Sequence, residues 1–274
     1  MRTSVACLIT LLALAGAREA AAVGPALWTV RQVAGAGGDV EYVAHAKRSG
    51  VTTIVARRAG RALRSVSLPG RWGFQVVTLA GDAAGLSANG RVLVASSPSA
   101  DPAALAGASR FAVLHTAPLE VAQMFVLRGA FTVDALSPDG RTLFLIQHLR
   151  VGDDITRYRV RAYDLKTKRL LPRAIADRRQ AGWTMRGFPI ARVATADDRS
   201  VFTLYQPNGN YPFVHALDTV RRTAVCIGLP LSWTDRSLDG ATLALRDAGK
   251  RLVVSGPNLA KPIAIDTTAL RVIR

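Results

Sequence analysis

The sequence predicts an all-β protein built from about five repeats of one small antiparallel sheet. Three observations support this prediction: a tight-turn motif recurs before apolar strands, an aspartate that ends another strand recurs in step with it, and the composition disfavours long helices. The chain has 274 residues, of which 49% are hydrophobic and 20% charged, so it can bury a large core and is not expected to be disordered. Its 31 arginines stand beside only five lysines, and valine, threonine and isoleucine are frequent, which favours strands over surface helices.

The first 22 residues have the pattern of an export signal. A basic start at Met1-Arg2 is followed by an apolar stretch over 5–15 and by three alanines, residues 20–22, at the expected cleavage site. We expect a mature chain with one domain over 23–274, a net charge near +16 and a secreted or cell-envelope location. An uncleaved membrane anchor is the alternative. No later apolar run approaches the roughly 18 residues that a membrane helix needs, so we expect no transmembrane segment in the mature chain.

The turn motif is clearest at Ser137-Pro138-Asp139-Gly140-Arg141, which precedes the apolar strand 142–146. Asp-Gly turns of this kind connect antiparallel strands. Related turns, spaced by 40 to 58 residues, occur at Gly50, Gly90, Asp198 and Gly240. These spacings predict one four-stranded sheet for each unit, with loops of unequal length.

A second marker lies about 25 residues after the turn in three of these units. Asp164, Asp218 and Asp266 each end a strand, at a position where the carboxylate can bond the backbone of the following turn. A short apolar strand follows each of them. Two markers that recur at a constant distance from each other indicate a true repeat.

On these residues the chain resembles bacterial β-propellers with YVTN-like or TolB-like repeats, which are distant relatives of WD-repeat propellers. The resemblance rests on the 137–141 turn and on the three aspartate turns, and it covers most of residues 28–274. It implies a β-propeller of about five four-stranded blades, in which the Asp-Gly turn joins the innermost strand to the next. A sixth blade built from residues 28–43 is the alternative, and the last strand pair, 264–273, is expected to complete a blade begun near Trp28. Members of the family range from scaffolds to lactonases, so the resemblance transfers no activity.

In such a fold, ligands meet the top face, where loops from different blades come together. The residues expected there combine aromatic and basic side chains: Arg71, Trp72, His148, Trp183, Arg186, Tyr205, Gln206 and Trp233. Aromatic platforms beside guanidinium groups suit an anionic, carbohydrate-bearing or peptide ligand. The alternative is that the tryptophans are wedged between neighbouring blades.

Charge gives a second indication of the partner. Arg157, Arg159 and Arg161 alternate with apolar or aromatic residues, so one face of their strand should be basic. Together with the net charge, this face should attract anionic partners such as phospholipid surfaces, wall polymers that bear phosphate, or acidic glycans. The alternative is a dispersed, solvated positive charge that reflects a composition rich in arginine.

The sequence offers little material for catalysis. The four histidines are scattered, no Gly-x-Ser-x-Gly or phosphate-binding loop occurs, and Cys226 lies between apolar neighbours as an inert core thiol would. Asp153-Asp154 suits a solvated loop or a cation site, and Asp197-Asp198 suits a turn. We expect no catalytic residue, metal or cofactor.

The function predicted is therefore an exported, non-enzymatic module that binds or scaffolds an unknown protein or an anionic envelope ligand, as a monomer and without nucleic acid. The first alternative is a propeller hydrolase or lactonase that uses His148, Asp153 or Asp154. A basic cytoplasmic protein that contacts nucleic acid is the second.

A single helical turn over 101–106 is expected as an insertion.

Overall fold

The structure, a computed structural model, describes residues 29–30, 32–34, 39–97, 107–151, 154–177, 179, 184–206, 211–231 and 238–273. The predicted export signal and the predicted helical turn lie outside these ranges, as do Asp153, Trp183 and Trp233. Among the described residues, no helix has the length and apolar character needed to cross a bilayer.

The described residues are strands joined by turns, with one short 3-10 turn at Asp247–Gly249. In chain order the strands are β1 (Thr29–Val30), β2 (Gln32–Ala34), β3 (Glu41–Ala46), β4 (Val51–Arg58), β5 (Arg61–Pro69), β6 (Phe74–Val76), β7 (Ala83–Ala84), β8 (Val92–Ser97), β9 (Ala108–Thr116), β10 (Leu119–Arg128), β11 (Phe131–Leu136), β12 (Thr142–Val151), β13 (Asp154–Asp164), β14 (Arg169–Leu170), β15 (Met185–Arg186), β16 (Phe188–Ala194), β17 (Ser200–Gln206), β18 (Phe213–Asp218), β19 (Thr223–Gly228), β20 (Thr242–Arg246), β21 (Arg251–Ser255), β22 (Ile263–Asp266) and β23 (Arg271–Val272).

Five of the sheets are antiparallel meanders of strands that follow one another in the chain. We call them blade 1 (β2 to β5), blade 2 (β8 to β10), blade 3 (β11 to β14, with β15 also paired to β13), blade 4 (β16 to β19) and blade 5 (β20 to β23). Blade 2 has three strands where four were predicted, but Leu86 is bridged to Leu93 of β8, so the Gly90 turn joins an inner segment to β8. The remaining sheet, β1-β6-β7, is small, and we call it the hairpin sheet.

Consecutive blades pack face to face through apolar clusters. One cluster joins blades 1 and 2 with the hairpin sheet, and three further clusters join blades 2 and 3, 3 and 4, and 4 and 5. Fully buried residues at these four interfaces are Ile54, Phe111, Phe144 and Phe202, in that order. Alternate side chains of one strand serve two interfaces, because successive residues point to opposite faces of a sheet. Sheets stacked in chain order about their first strands form a β-propeller, which confirms the predicted fold class.

The hairpin sheet lies on the inner side of the blades. The turn between β6 and β7 is bonded to the first strand of blade 4: the Leu79 N–H donates to the Pro189 carbonyl oxygen at 2.9 Å, and the Ala80 N–H donates to that of Ile190 at 3.3 Å. Strand β7 borders a central cavity together with β2, β11 and β16. The hairpin therefore occupies part of the channel that a propeller of this size would otherwise leave.

Strand β1 pairs with β6 of this hairpin, which corrects one expectation. The last strand pair was expected to complete a blade begun near Trp28, but β22 and β23 belong to blade 5 with β20 and β21. Phe74 of β6 is fully buried and Val76 nearly so, and pairing with β1 satisfies backbone groups that this burial would otherwise leave without partners. Residues 32–34 and 41–46 begin blade 1 and form no sixth blade.

Three of the repeated turns have the same hydrogen-bond geometry, which confirms the repeat. In each turn a hydroxyl donates to the side-chain oxygen two residues later, and that oxygen accepts the backbone N–H two residues further on. The hydroxyl distances are 2.8 Å from Ser87 to Asn89, 2.6 Å from Ser137 to Asp139, and 2.7 Å from Thr195 to Asp197. Such local bonds stabilise the turn in isolation from the rest of the fold.

The Gly240 turn was assigned to the wrong place in its unit. It precedes β20, whereas the turn between β20 and β21 ends at Gly249, whose φ is +86°. The Gly249 carbonyl oxygen accepts the Thr267 hydroxyl at 2.7 Å, as that of Gly90 accepts the Thr116 hydroxyl at 2.6 Å. The Gly50 turn likewise connects β3 to β4 and not the two innermost strands of blade 1. An Asp-Gly or Ser-Gly pair suits any tight turn, so it cannot by itself tell which strands it joins.

The aspartate turns are confirmed. One carboxylate oxygen of Asp164, Asp218 and Asp266 accepts two backbone N–H groups from the residues two and three positions later, at 2.7 to 3.0 Å. Each aspartate ends the third strand of its blade.

Candidate functional site: a basic strand face and a charged central cavity

Strand β13 of blade 3 carries the basic face that the sequence predicts. Its residues Tyr158 and Val160 are at most 4% exposed and pack against blade 4. Arg157, Arg159 and Arg161 alternate with them, so their side chains leave the opposite side of the sheet.

A fourth arginine extends this face. Arg186 of β15 lies directly opposite Arg157 in the pairing of β15 with β13. We call Arg157, Arg159, Arg161 and Arg186 the basic face.

The Arg161 end of the basic face is held by hydrogen bonds. The Arg161 guanidinium donates to Gln147 Oε1 at 2.8 Å and to the Leu171 carbonyl oxygen at 2.9 Å. Burial lowers the pKa of Arg161, and the neighbouring charge of Arg159 lowers it further. The Arg159 side chain itself is exposed, and no carboxylate of the described residues forms an ion pair with it.

Two other predicted site residues, His148 and Tyr205, lie between blades 3 and 4. His148 Nε2 is 3.2 Å from the Thr132 hydroxyl oxygen, and burial lowers the pKa of His148 to about 4, so the ring is neutral at pH 7. Tyr205 is buried and stacks on Tyr158 and Phe213, with ring centroids 5.2 and 5.1 Å apart. These side chains contribute to the interface between the blades.

The structure brings some of the predicted residues to one end of blades 3 and 4. His148 lies opposite Tyr158, which contacts Tyr205, and Gln206 lies opposite Phe188, two residues after Arg186. The tip of the β6–β7 hairpin reaches the same end of blade 4. Partly exposed Arg186 and Gln206 remain the accessible members of this group.

Arg71 and Trp72 lie elsewhere, between β5 and β6. Arg71 is exposed, whereas Trp72 is 7% exposed and packs in the cluster of blades 1 and 2. The Trp72 indole N–H donates to the Pro69 carbonyl oxygen at 2.7 Å. Trp72 therefore has the wedge position that was the alternative for the tryptophans.

A row of polar residues crosses blade 4 at the interface with blade 3. In the strand pairing, Arg192 lies opposite Thr203, Thr203 opposite His215, and His215 opposite Cys226. His215 Nδ1 is 3.7 Å from Cys226 Sγ. Burial lowers the pKa of His215 to about 4 and raises that of the Cys226 thiol to about 12, so both are neutral at pH 7. The predicted inert thiol is confirmed as a buried one.

The outer end of the row is capped by Asp177 and Arg179. The Cys226 backbone N–H donates to Asp177 Oδ2 at 2.8 Å, and the Arg179 guanidinium donates to both Asp177 and the Cys226 carbonyl oxygen. Burial opposes ionisation of Asp177, but these hydrogen bonds outweigh it and lower its pKa to about 2. The two side chains thus form hydrogen bonds with the N–H and carbonyl groups of Cys226, which edge strand β19 would otherwise present to another chain.

The inner end of the row is an ion pair in the wall of the central cavity. Arg192 Nη1 of β16 lies 2.6 Å from Asp134 Oδ1 of β11. Sequence reasoning missed both residues. Each is the single charged residue in the first strand of its blade, and the two charges are opposite, which is the signal that could have found them.

The central cavity has a volume of about 380 Å³. Small side chains dominate its lining, including Ala83, Ala135 and Ala194, and the charged residues in the wall are Asp134, Arg192 and Asp198. Partial burial raises the pKa of Asp198, the charge of Arg192 opposes that rise, and that of Asp197 adds to it.

The remaining histidines are exposed and lie on different blades. His45 Nε2 is 3.1 Å from an Arg57 nitrogen on blade 1, and His115 Nδ1 is 3.5 Å from Glu120 on blade 2. Within the described part of the chain, no three metal-ligating side chains form a group.

Comparison with known proteins adds information on the fold. No protein-family model matches the chain, and no curated protein matches it. Hydrazine synthase of Kuenenia stuttgartiensis has a similar structure over 86% of this chain and 64% of its own, with a TM-score of 0.51 and 16% identity. The dihydro-heme d1 dehydrogenase NirN, in complex with DHE, is similar over 86% of this chain and 43% of its own, with a TM-score of 0.51 and 12% identity.

TolB from Acinetobacter baumannii is similar over 88% of this chain and 52% of its own, with a TM-score of 0.46 and 11% identity. The chain thus spans less than two thirds of each of these three proteins. Identities this low show a shared fold and no shared activity. By its topology and its structural neighbours, the chain is a β-propeller.

Proposed function

We propose that the protein is an exported, non-enzymatic binding or scaffold module that recognises anionic envelope components through the basic face of blade 3. The observation that carries the proposal is exposed Arg159, which shares one face of β13 with Arg157 and Arg161 and forms no ion pair with a carboxylate of the described residues. Several guanidinium groups on one sheet face offer N–H donors and positive charge to an anion. The excess of 36 basic over 19 acidic side chains adds a long-range attraction.

The position of His148 favours binding over hydrolysis as the function. His148, one of the three residues named for the hydrolase alternative, lies on the sheet face that packs against blade 4 and bonds to Thr132. The basic face is on the other side of the same sheet. A general base must reach a substrate, whereas a basic surface needs only exposed donors.

The exported location rests on residues 1–22. N-terminal sequencing of the protein purified from its native cells tests it, with a first residue of Val23 as the expected result. A mature chain that still begins at Met1 would contradict export and favour the cytoplasmic alternative.

The anionic ligand is tested with three probes: phosphatidylglycerol vesicles, polyphosphate and heparin. The Arg159→Glu variant should bind the preferred probe at least five-fold more weakly than the unchanged protein, since each basic residue near an anionic surface contributes about 1 kcal/mol. Arg91→Glu is the matched control, because Arg91 is an exposed arginine at a turn outside the basic face. Equal losses for both variants would indicate non-specific charge attraction and contradict the proposal.

The dependence of binding on salt tests whether the attraction is electrostatic. Raising sodium chloride from about 50 to 500 mM shortens the Debye length from more than 10 Å to less than 5 Å, so binding through the basic face should weaken. The probe on which Arg159→Glu and Arg91→Glu differ most identifies the anion class. If none of the three probes binds the unchanged protein at 50 mM salt, the proposed function is wrong.

A further inference from the structure

The central cavity has the size and lining of a ligand site. Its volume of about 380 Å³ lies within the range of small-molecule pockets, which begins near 300 Å³. The space exists because first strands β11 and β16 and the segment at β7 present alanines, such as Ala135, Ala194 and Ala84, where larger side chains would fill it. Its walls belong to four different sheets, so it is a feature of the assembled propeller.

The Arg192 guanidinium in the cavity wall has N–H donors that the described residues do not use. Arg192 Nη1 bonds to Asp134, and the other two nitrogens of Arg192 have no hydrogen-bond partner among the described residues. A guanidinium carries five N–H donors in a planar fork, which suits a carboxylate. The side chain is 12% exposed, so a partner for these donors would have to come from the cavity.

Asp198 stands in the cavity wall at a position where the repeat favours glycine. The equivalent residues of the two preceding turns are Gly90 and Gly140, with φ of +67° and +68°, and Asp198 adopts φ of +54°. A left-handed φ is unfavourable for a residue with a Cβ, so turn stability favours glycine there. Aspartate tolerates this conformation better than most residues do. At this turn the chain therefore carries a carboxylate where the two preceding turns carry none.

Arg192 and Asp198 face the same space without meeting. Both residues line the cavity, but their side chains form no ion pair within 4.0 Å, and the ion pair of Arg192 is with Asp134. Opposite charges separated by a gap inside a cavity suit a molecule that carries both charges. An anion alone would meet the carboxylates of Asp134 and Asp198, and a cation alone would meet Arg192 and the protein's net charge of +17.

We propose that the central cavity binds a small zwitterion of amino-acid size, with its carboxylate on Arg192 and its ammonium group on Asp198. This site is independent of the basic face and of the anionic partner. The apolar body of the ligand lies against the alanines of β11 and β16.

Isothermal titration calorimetry with the twenty L-amino acids, ethylamine and propionate tests the site. At least one amino acid should bind with a Kd below about 1 mM, and at least ten-fold more tightly than ethylamine or propionate. Ethylamine or propionate binding as well as the best amino acid would overturn the zwitterion, and so would no binding by any amino acid.

The Asp198→Gly variant makes the test independent of folding. It removes the carboxylate and also relieves the left-handed φ, so the urea midpoint should rise while the affinity for the best amino acid falls at least ten-fold. Lys168→Gly is the matched control: Lys168 has φ of +57° at an exposed turn of blade 3, so its replacement should raise the midpoint and leave the affinity unchanged. An Asp198→Gly variant that keeps the affinity would refute the site. Arg159→Glu should leave amino-acid binding unchanged, so failure here and failure of the basic face are distinguishable.

Discussion

Arg192 and Asp134, 58 positions apart in the chain, meet at 2.6 Å between the first strands of blades 3 and 4. Their side chains are 12% and 8% exposed, so both charges are largely removed from water. A buried pair fixes how two sheets are placed relative to each other, because each charge needs the other at hydrogen-bond distance. The same pair forms part of the cavity wall and ends the polar row of blade 4.

Breaking this pair from one side should destabilise the protein strongly. Asp134→Leu leaves the Arg192 guanidinium without its partner, and we expect the free energy of unfolding to fall by about 3 to 5 kcal/mol. The measurement is a urea denaturation curve. The double variant Asp134→Leu with Arg192→Leu should recover most of that loss, since no charge is then left buried. A single variant as stable as the unchanged protein would show that the pair is not buried in solution.

Stability should decrease between pH 6.5 and pH 4. Burial lowers the pKa of His148 and of His215 from 6.5 to about 4, so over this range the unfolded chain takes up two protons that the folded chain does not. Each histidine then contributes a loss of about 1.4 kcal/mol per pH unit, and neither contributes above pH 7. Denaturation curves at pH 7, 6, 5 and 4 measure the slope.

The slope can be assigned with a variant. His148→Gln should reduce it by about half, because one of the two titrating groups is gone. His45→Gln is the control, since His45 is exposed on blade 1, and it should leave the slope unchanged. A slope that His148→Gln does not alter would contradict burial of that ring.

The Cys226 thiol should be unreactive in the folded protein. Burial raises its pKa to about 12, so at pH 8 almost no thiolate is present, and the thiolate is the nucleophile. Labelling with 5,5′-dithiobis(2-nitrobenzoic acid) should be complete within minutes in 6 M guanidinium chloride and should be slower by orders of magnitude in buffer. Fast labelling of the folded protein would show that the interface between blades 3 and 4 opens readily.

The aspartate turns should each contribute to stability. Asp218→Ala removes the acceptor of the Val220 and Arg221 backbone N–H groups, and we expect a loss of about 1 to 2 kcal/mol in the free energy of unfolding. Asp239→Ala is a suitable comparison, because Asp239 is an exposed aspartate whose side chain forms no hydrogen bond among the described residues. Equal effects would mean that the Asp218 bonds are replaced by water without loss.

Local features could be predicted because their hydrogen bonds join residues close in sequence. The Ser137–Asp139 bond spans two positions and the Asp164 bonds span two and three, so the residues that make the turn are visible together. The alternation of Arg159 with buried neighbours follows in the same way from the two-residue period of a strand.

Placement of the turns could not be predicted in the same way. The Gly240 turn has the expected residues and yet precedes the first strand of its blade, because an Asp-Gly pair suits many turns and strand order depends on distant pairing. The predicted ligand site also differs from the structure in which of its residues are accessible. Tyr205 and Trp72 are aromatic as the hypothesis required, but apolar burial between sheets fixed their positions.

The amino-acid sequence by itself determined the all-β class, the repeated turns, the alternating basic strand and the apolar setting of Cys226. Tertiary structure alone decided that the β6–β7 hairpin enters the channel, that Asp134 meets Arg192, and that Asp198 lies in the wall of a cavity. The physical reason is the sequence separation of the residues that interact. Turns and strand faces depend on neighbours a few residues away. The channel, the ion pair and the cavity depend on how whole sheets are placed against one another, which no short segment encodes.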